Sequence, residues 1–379
     1  MDMLTFNLDH GFAEATVKGF RSGFLNDDEY THLTQCETLD DVKMNLQETD
    51  YGNFLQNEPP PLAPAAFERR ATAKWVSEFK HLRAHAVEPL STFLDYITYE
   101  YMIENILMLL KATLTDEEVD PAMLVEQSHP LGRFKESTMK SIVAFTNSPS
   151  GYADLYSTVL IDTPVGPYFS MYLQDQVEKK TLAGATEVRN ILEEVPISTL
   201  ENMVMKLYLE DFYAFCMRLG GGTAESMGHM LKSRADVIAI NITLNSFDTF
   251  YNQPSHRSSS RKALYPSFGY LYPEGTDVLS KVENEDQVSR ALSPYPEYVA
   301  LWDRAEVAEG GERLVDDAFF KRSVKILQLG FDGQFHFGMF YAYVKLKEQE
   351  VKNLVWVCEC LVQGQAHAIG KLIPVFSKT

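Results

Sequence analysis

The sequence predicts an all-α protein, and three observations lead to this prediction. Apolar residues recur at spacings of three and four, which places them on one face of a helix. Two such stripes are Trp75, Phe79, Leu82 and Ala86, and Phe320, Val324, Leu327, Phe331 and Phe335. Runs of alternating apolar and polar residues bounded by hairpin turns, which would indicate strands, are nearly absent. Finally, two short patterns each occur three times, which indicates repeated helical modules.

The helix-breaking residues divide the chain at corresponding places. Each third begins with short, turn-rich helices, predicted over Val17–Leu55, Pro130–Phe169 and Pro266–Leu301. Longer helical stretches follow, predicted over Ala65–Leu114, Glu187–Phe250 and Leu314–Leu372. Within the first long stretch Pro89 lacks the N–H that a helix interior needs, so we expect a kink or a new helix there. The polar segment Gln253–Lys262 is expected to be an exposed, mobile loop between modules.

The first repeated pattern is a leucine, a short turn and an aromatic residue, found at Leu46–Leu55, Leu160–Phe169 and Leu292–Leu301. The second is an acidic residue followed five positions later by asparagine and an aliphatic residue. Its members are Glu100, Asn105, Asp236, Asn241, Glu348 and Asn353. The three asparagines lie about a third of the 379-residue chain apart. We therefore predict three similar helical modules around a pseudo-threefold axis, over residues 1–116, 117–252 and 253–379.

Asn105 and Asn241 are flanked at the preceding and following helical turns by apolar residues. A buried amide without partners destabilises a protein by about 1–3 kcal/mol. We therefore expect both side chains to hydrogen-bond across a helix interface and to set helix register, with a ligand site as the alternative. Asn353 fits less cleanly, because Gln349 lies one turn before it.

The composition excludes several classes of function. The chain carries 34 Lys and Arg against 53 Asp and Glu, a formal charge of −19. Such a surface repels phosphate backbones and anionic headgroups, so nucleic acid and direct lipid binding are not expected. No stretch approaches the roughly 20 apolar residues that span a bilayer, and no secretory signal is predicted. We expect a soluble intracellular chain whose partners are proteins with basic surfaces.

No catalytic, cofactor-binding or metal-binding residues are predicted. His81 and His85 share one helix face, as in HExxH zinc enzymes, but Leu82 stands where the catalytic glutamate would be. Gly220–Thr223 lacks the lysine of a phosphate-binding loop and is predicted to end one helix, with Thr223 capping the next. His336 is predicted to lie in an aromatic-rich helix. Two alternatives remain open: a helical metal-dependent hydrolase centred on His81 and His85, and a cytosolic helical scaffold.

Several stretches resemble one known family. They are Gln35–Leu55, Glu88–Ile106, Ser128–Phe134, Ile242–Phe247, Leu271–Gly275 and Gln334–Cys360. The chain resembles the family formed by the d subunits of eukaryotic vacuolar-type proton ATPases and the C subunits of archaeal-type rotary ATPases. The resemblance runs from about Phe6 to the region of Phe376. It departs at Leu173–Glu187 and Gln253–Lys262, which leaves the contacts of those loops open.

The resemblance implies a funnel-like, all-helical subunit without an active site of its own. Members of this family lie on the cytoplasmic face of the membrane-embedded proteolipid ring and receive the foot of the central rotor shaft. The expected partners are therefore the proteolipid ring and the central shaft subunits, with neither a homo-oligomer nor direct membrane insertion. The expected location is peripheral, on vacuolar or endosomal membranes. As a hypothesis, the chain couples rotation of the shaft to the ring.

Overall fold

The computed structural model describes residues 3–55, 63–113, 120–135, 138, 158–159, 163–172, 197–307 and 313–376. Apart from one antiparallel pair of two-residue strands, β1 (Glu306–Val307) and β2 (Arg313–Leu314), the regular structure of these residues is helical. The prediction of an all-α protein is thereby confirmed. None of the described helices has the combination of length and apolarity that crossing a membrane requires.

Six of the described helices have 18 residues or more, and they form three pairs of helices that are consecutive in the chain. In the first 135 residues the described helices are α1 (Met3–Gly19), α2 (Asp27–Thr34), α3 (Leu39–Leu46), α4 (Gly52–Leu55), α5 (Pro64–His85), α6 (Leu90–Thr113) and α7 (Pro121–Gln127). After these come α8 (Ile197–Leu219), α9 (Gly221–Leu244), α10 (Glu274–Leu279), α11 (Glu285–Leu292), α12 (Pro296–Arg304), α13 (Val315–Asp332) and α14 (Gly338–Val362). The pairs are α5 with α6, α8 with α9, and α13 with α14.

Local sequence signals fix where several helices begin. The Asn26 side chain accepts from the backbone N–H groups of Asp28 and Glu29 at the start of α2, and the Glu29 carboxylate accepts from the Asn26 N–H. Thr38 and Asp41 form the same reciprocal arrangement at α3. These capping boxes satisfy N–H groups that have no partner within the helix. Pro64 begins α5, where its missing N–H has no consequence.

The breaks within the three pairs arise from proline and from left-handed backbone. As predicted, α5 ends before Pro89 and α6 begins directly after it. Gly220, with φ of 69°, separates α8 from α9. Between α13 and α14, Phe335 has φ of 59°, which a right-handed helix does not allow. The prediction that His336 lies in a helix is therefore wrong: this residue lies in the turn before α14.

The chain forms two compact units, and each has its own core. The first comprises Met1–Leu94, Cys216–Met230 and Pro296–Thr379. In it α14 packs against α5 and α13, and buries Tyr343 and Leu346 completely. The second comprises Asp95–Phe215 and Leu231–Tyr295. Its fully buried side chains include Ile106, Tyr208 and Phe212. The division into three modules at residues 116 and 252 stays a prediction.

The segment Gln253–Lys262 has mostly exposed side chains, as predicted, but it is helical where a loop was expected. Pro254–His256 is helical, Arg257–Arg261 forms a π-helical turn, and Arg261 is fully buried. The Arg261 guanidinium donates to Ser246 Oγ at 3.0 Å and to the carbonyl oxygens of Leu279, Ser280 and Val282 at 3.2, 2.8 and 2.6 Å. Carbonyls at and beyond the end of α10 lack helical partners, and the five N–H groups of arginine can satisfy several at once. The polar composition of the segment therefore gives no indication that Arg261 is a buried donor to backbone carbonyls.

We predict that Arg261→Met lowers the free energy of unfolding by about 3 kcal/mol, because the buried carbonyls of Ser280 and Val282 lose their donor while the apolar stem is kept. The Leu279 carbonyl keeps its hydrogen bond from the Val282 N–H. The matched control is Lys262→Met, which removes only an exposed pair with Asp277 and is expected to change stability by less than about 1 kcal/mol. Chemical denaturation of both variants and the parent measures the difference. Equal destabilisation by the two substitutions would contradict the proposed role of Arg261.

Candidate functional site

The six repeat residues occupy comparable places in the fold. Glu100 and Asn105 lie on α6, Asp236 and Asn241 on α9, and Glu348 and Asn353 on α14. Each of these helices is the second member of a long pair. The repeated pattern in the sequence therefore falls each time on the second helix of a long pair. The equivalence of the individual residues stays a prediction.

Asn105 binds the backbone of a segment that follows α7. Its side chain is 3% exposed; Nδ2 donates to the His129 carbonyl oxygen at 3.0 Å, and Oδ1 accepts from the His129 N–H at 2.7 Å. The His129 ring stacks on Tyr101, one turn earlier on α6, at a centroid separation of 4.2 Å. A Cβ atom on Gly132 would collide with the Tyr101 carbonyl and the Asn105 amide. The absence of a side chain at position 132 thus lets the segment approach α6 closely.

Asn353 makes the same kind of contact in the first unit. Its side chain is 3% exposed; Nδ2 donates to the Ile373 carbonyl oxygen at 2.7 Å, and Oδ1 accepts from the Ile373 N–H at 3.2 Å. Tyr30 and Gln349 complete the hydrogen bonding of this amide. An amide side chain presents one donor face and one acceptor face, so it can pair with both polar groups of a single residue. Asn105 and Asn353 both use this property.

Asp236 holds backbone through its carboxylate. It is 1% exposed, and its two oxygens accept from the N–H groups of Tyr270 and Leu271, each at 3.0 Å. Gly269 has φ of 141°, and a Cβ atom there would collide with Asp236 Oδ1. A carboxylate has acceptors only, which suits two N–H groups presented side by side. The contact resembles that of Asn105, except that Asp236 binds two backbone N–H groups, whereas Asn105 binds one N–H and one carbonyl.

We call Asn105, Asp236 and Asn353 the segment clasps, because each fixes backbone that lies 20 to 35 residues further along the chain. The predicted repeat instead groups Asp236 with Glu100 and Glu348. Asn241, which the repeat groups with Asn105 and Asn353, is half-buried. The hydrogen bonds therefore differ from what the sequence spacing indicates. On α9 it is Asp236 that binds the backbone of a later segment, as Asn105 and Asn353 do on their helices.

The two glutamates of the repeat make ion pairs of different kinds. Glu100 is 6% exposed and accepts a forked pair of hydrogen bonds from the guanidinium of Arg234, with Nη1 at 2.9 Å from Oε2. This bidentate geometry joins α6 to α9 within the second unit. Glu348 is half-buried and pairs at 2.9 Å with Lys345, three residues earlier on the same helix. Only the first of these pairs connects two helices.

A buried polar cluster on α14 was not anticipated from the sequence. Lys347 and Glu350 are 1% and 0% exposed and pair at 2.9 Å. Glu350 also accepts from the Tyr51 hydroxyl and the Leu25 N–H, each at 2.7 Å, and Lys347 donates to the Gly23 carbonyl at 2.6 Å. A buried ion pair needs such additional hydrogen bonds to offset its desolvation. The cluster thereby fastens the segment after α1 to α14.

A second cluster joins α5 to α14. The ammonium of Lys74, 4% exposed, pairs with Asp50 and Glu78, and the Tyr343 hydroxyl donates to Glu78. Burial lowers the pKa of Lys74, but the hydrogen bonds and charges of Asp50 and Glu78 outweigh it, so that its pKa is raised overall. Burial, followed by the charge of Glu78, raises the pKa of the Tyr343 hydroxyl well above its usual value. Lys74 is therefore charged and Tyr343 neutral at pH 7.

One signal for these clusters exists in the sequence. Tyr343, Lys347, Glu350 and Leu354 follow helical spacing, so the two charged residues fall on the same stripe as buried apolar ones. A lysine and a glutamate three residues apart on such a stripe indicate an internal ion pair. The partners Tyr51 and Leu25 lie about 300 residues away in sequence and give no such signal.

His81 and His85, the candidate metal ligands, are exposed on α5. Their rings lie 4.5 Å apart, His85 Nδ1 is 2.9 Å from the His81 carbonyl oxygen, and Phe12 contacts the His85 ring. Among the described residues, no three His, Cys, Asp or Glu side chains come together as metal ligands would. The described structure therefore gives the hydrolase alternative no support.

The glycine run at 220–222 ends α8 as predicted, but Thr223 does not cap the next helix. Because α9 already begins at Gly221, Thr223 lies in its first turn and its hydroxyl accepts from the Phe337 N–H at 3.0 Å.

Two histidines of the first unit are buried. His336 has no hydrogen-bond partner for Nδ1 among the described residues. Burial, with a smaller effect of the Lys18 charge, lowers the pKa of His336 to about 4. His10 is 1% exposed, and burial lowers its pKa as well.

These features define an all-helical protein whose described polar interior fastens helices and segments to one another. Residues 13–372 match the family described as ATP synthase (C/AC39) subunit, and the chain belongs to that family. It is 41% identical over 376 residues to the V-type proton ATPase subunit d of Dictyostelium discoideum, covering 99% of this chain and 97% of the relative. It is 42% identical over 368 residues to a probable V-type proton ATPase subunit d of Oryza sativa subsp. japonica, covering 97% of each. Identity to the V-type proton ATPase subunit d of Saccharomyces cerevisiae is 34% over 378 residues, covering 99% of this chain and 100% of the relative.

We predict that Asn105→Asp and Asp236→Asn each lower the free energy of unfolding by about 2–3 kcal/mol. In the first variant a carboxylate oxygen faces the His129 carbonyl, and in the second an NH₂ group faces a backbone N–H. The control is Asn245→Asp, at an exposed position directly after the end of α9, with an expected change of at most about 1 kcal/mol. Denaturant titration measures all three, and a loss in the control as large as in the clasp variants would refute the role of the clasps.

The lowered pKa of His336 predicts that stability falls on acidification. An imidazole in the unfolded chain takes up a proton near pH 6.5, whereas folded His336 does so only near pH 4. Between these values the unfolded state binds more protons, so this residue lowers the free energy of unfolding by about 2 kcal/mol on going from pH 7 to pH 5. His336→Gln should reduce the difference between denaturation midpoints at the two pH values, and exposed His32→Gln should not. An unchanged difference in His336→Gln would show that the folded environment of His336 does not resist protonation.

Proposed function

We propose that this chain is a non-catalytic central-stalk subunit of a V-type proton ATPase, coupling rotation of the central shaft to the proteolipid ring of the membrane sector. The observation that carries the proposal is the similarity to relatives named V-type proton ATPase subunit d, which covers nearly the full length of both chains. Similarity of this extent leaves no domain of the relatives unmatched. The proposal therefore concerns the whole chain.

Coupling by this chain would require a stiff body, because any internal yielding dissipates torque. The segment clasps and the two clusters of the first unit support stiffness in the parts of the chain they join. A clasped segment cannot slide along its helix without exposing buried polar groups to an apolar interior, at about 1–3 kcal/mol for each group. Close packing of the apolar side chains around these contacts further opposes deformation.

The same proposal gives the partners and the place of action. The ring would bind one side of the chain and the shaft subunits the other, with the chain peripheral on the cytoplasmic face of vacuolar or endosomal membranes. A net charge of −19 favours basic side chains on these partners, which accelerate association and set orientation. The three consecutive pairs of long helices support three modules around a pseudo-threefold axis, with a funnel-like shape as the family resemblance implies.

A deletion and replacement experiment tests the proposal. In cells lacking their own subunit, membranes should retain the proteolipid ring but lose ATP-driven proton pumping, and expression of this chain should restore it. Proton uptake and ATP hydrolysis are measured on the same vesicles, and vesicles from the deletion cells define the background. Pumping that persists at the parental rate in the deletion would refute the coupling role.

A matched pair of variants separates coupling from abundance. Asn353→Asp weakens a segment clasp, whereas Asn245→Asp changes charge equally at an exposed position. At equal amounts of membrane-bound chain, we expect fewer protons pumped per ATP hydrolysed with Asn353→Asp than with Asn245→Asp. Equal ratios in the two variants would show that this clasp has no part in coupling.

A further inference from the structure

A groove with basic walls lies between α12 and α13 in the first unit. Its volume is about 390 Å³, and its charged lining consists of Arg304, Lys321, Arg322, Lys325 and Asp317. Leu301 and two alanines provide its apolar lining. Four cations against one carboxylate stand out in a chain whose net charge is −19. The charge of the groove is therefore opposite in sign to the net charge of the chain.

Three of these cations are available to a partner. Arg304, Lys321 and Lys325 are exposed, and none forms an ion pair with another described residue. An exposed lysine or arginine without a counter-charge can meet an incoming carboxylate without first breaking a contact. The wall formed by α13 is thus free to bind, within the part of the chain that the structure describes.

The fourth cation, Arg322, is held in place. Its side chain is 15% exposed, its guanidinium lies 4.8 Å from the centre of the Tyr298 ring, and it pairs with Glu297. Nη1 of the same guanidinium is buried and has no hydrogen-bond partner among the described residues. A positioned guanidinium with a spare donor is suited to fork-like recognition of a carboxylate.

The spacing of the charges indicates the kind of ligand. Lys321 and Lys325 are one helical turn apart, about 6 Å along α13, and Asp317 lies a further turn towards its start. The charges are therefore spread along about 12 Å of groove, not gathered around one point as in a site for a single phosphate. Carboxylates one turn apart on a facing helix match the two lysines, and Asp317 would meet the basic or N-terminal end of that helix.

We propose that this groove binds an acidic, amphipathic helical segment of a partner protein, with carboxylates on the basic wall and apolar side chains against Leu301. The recessed shape favours a polypeptide over the flat surface of an anionic membrane. Charge complementarity sets the orientation of the segment, because Asp317 repels its acidic end. The inference goes beyond the coupling role and does not depend on it, since binding is measured on the isolated chain.

The test uses a fluorescent synthetic 16-residue helical peptide with two glutamates, one turn apart in its C-terminal half, beside a leucine stripe. The control peptide carries glutamine in place of glutamate. With the purified full-length chain, fluorescence anisotropy should show tighter binding of the acidic peptide, weakening steeply with salt. Lys321→Glu with Lys325→Glu should reduce affinity more than about tenfold, whereas Lys80→Glu with Lys281→Glu, at exposed sites elsewhere, should reduce it less than about twofold.

Several outcomes would overturn the inference. They are equal loss in the two double variants, equal binding of the acidic and glutamine peptides, and lysine-dependent binding to phosphatidylserine vesicles without binding to the peptide. Thermal melting followed by circular dichroism checks that both double variants fold. Should the groove variant fail to fold, Ala318→Leu narrows the groove without changing charge and is expected to weaken peptide binding by a similar factor. Unaltered binding in that variant would equally contradict the proposal.

Discussion

The described structure depends on buried side chains that satisfy backbone lying far away in sequence. A long helix pairs its own N–H and C=O groups, but the segments that cross it have no such internal partners. Asn105, Asp236 and Asn353 supply those partners from the second helix of each long pair. Arg261 does the same for the carbonyls around the end of α10. Without these contacts the crossing segments would have to remain at the surface, where water could bind them.

The parts of the fold that sequence predicts are those governed by local physics. Apolar spacing predicts the long helices, and Pro89 predicts the break before α6, since both effects act within a few residues. Asn105 is predicted to be buried because its helical neighbours are apolar. The partner of Asp236 lies more than thirty residues away, so spacing alone groups it with Glu100. The contacts place it with the asparagines instead, a distinction that depends on tertiary structure.

Charged residues are where prediction from sequence falls short, because charge usually indicates exposure. Lys347 and Glu350 neutralise each other and take further hydrogen bonds from segments about 300 residues away, which makes complete burial tolerable. Arg261 is buried without a carboxylate beside it, since several carbonyl dipoles solvate its charge. Burial lowers the pKa of Arg261, but an arginine guanidinium is so strongly basic that it keeps its proton at neutral pH. In each case the compensating groups belong to other elements.

The net charge of −19 describes an average, and docking depends on how the charges are placed. On α13, Asp316, Asp317 and Asp332 offset Lys321, Arg322 and Lys325 in any count of charge, but Asp317 lies one helical turn before Lys321 and two turns before Lys325. The net charge of α13 is therefore near zero, yet its charge changes from negative to positive along the groove. Such a surface can be altered without touching the segment clasps, since none of its residues contacts them in the described structure. On the two proposals made above, the interior provides stiffness and the groove provides recognition, so substitutions in one are expected to leave the other intact.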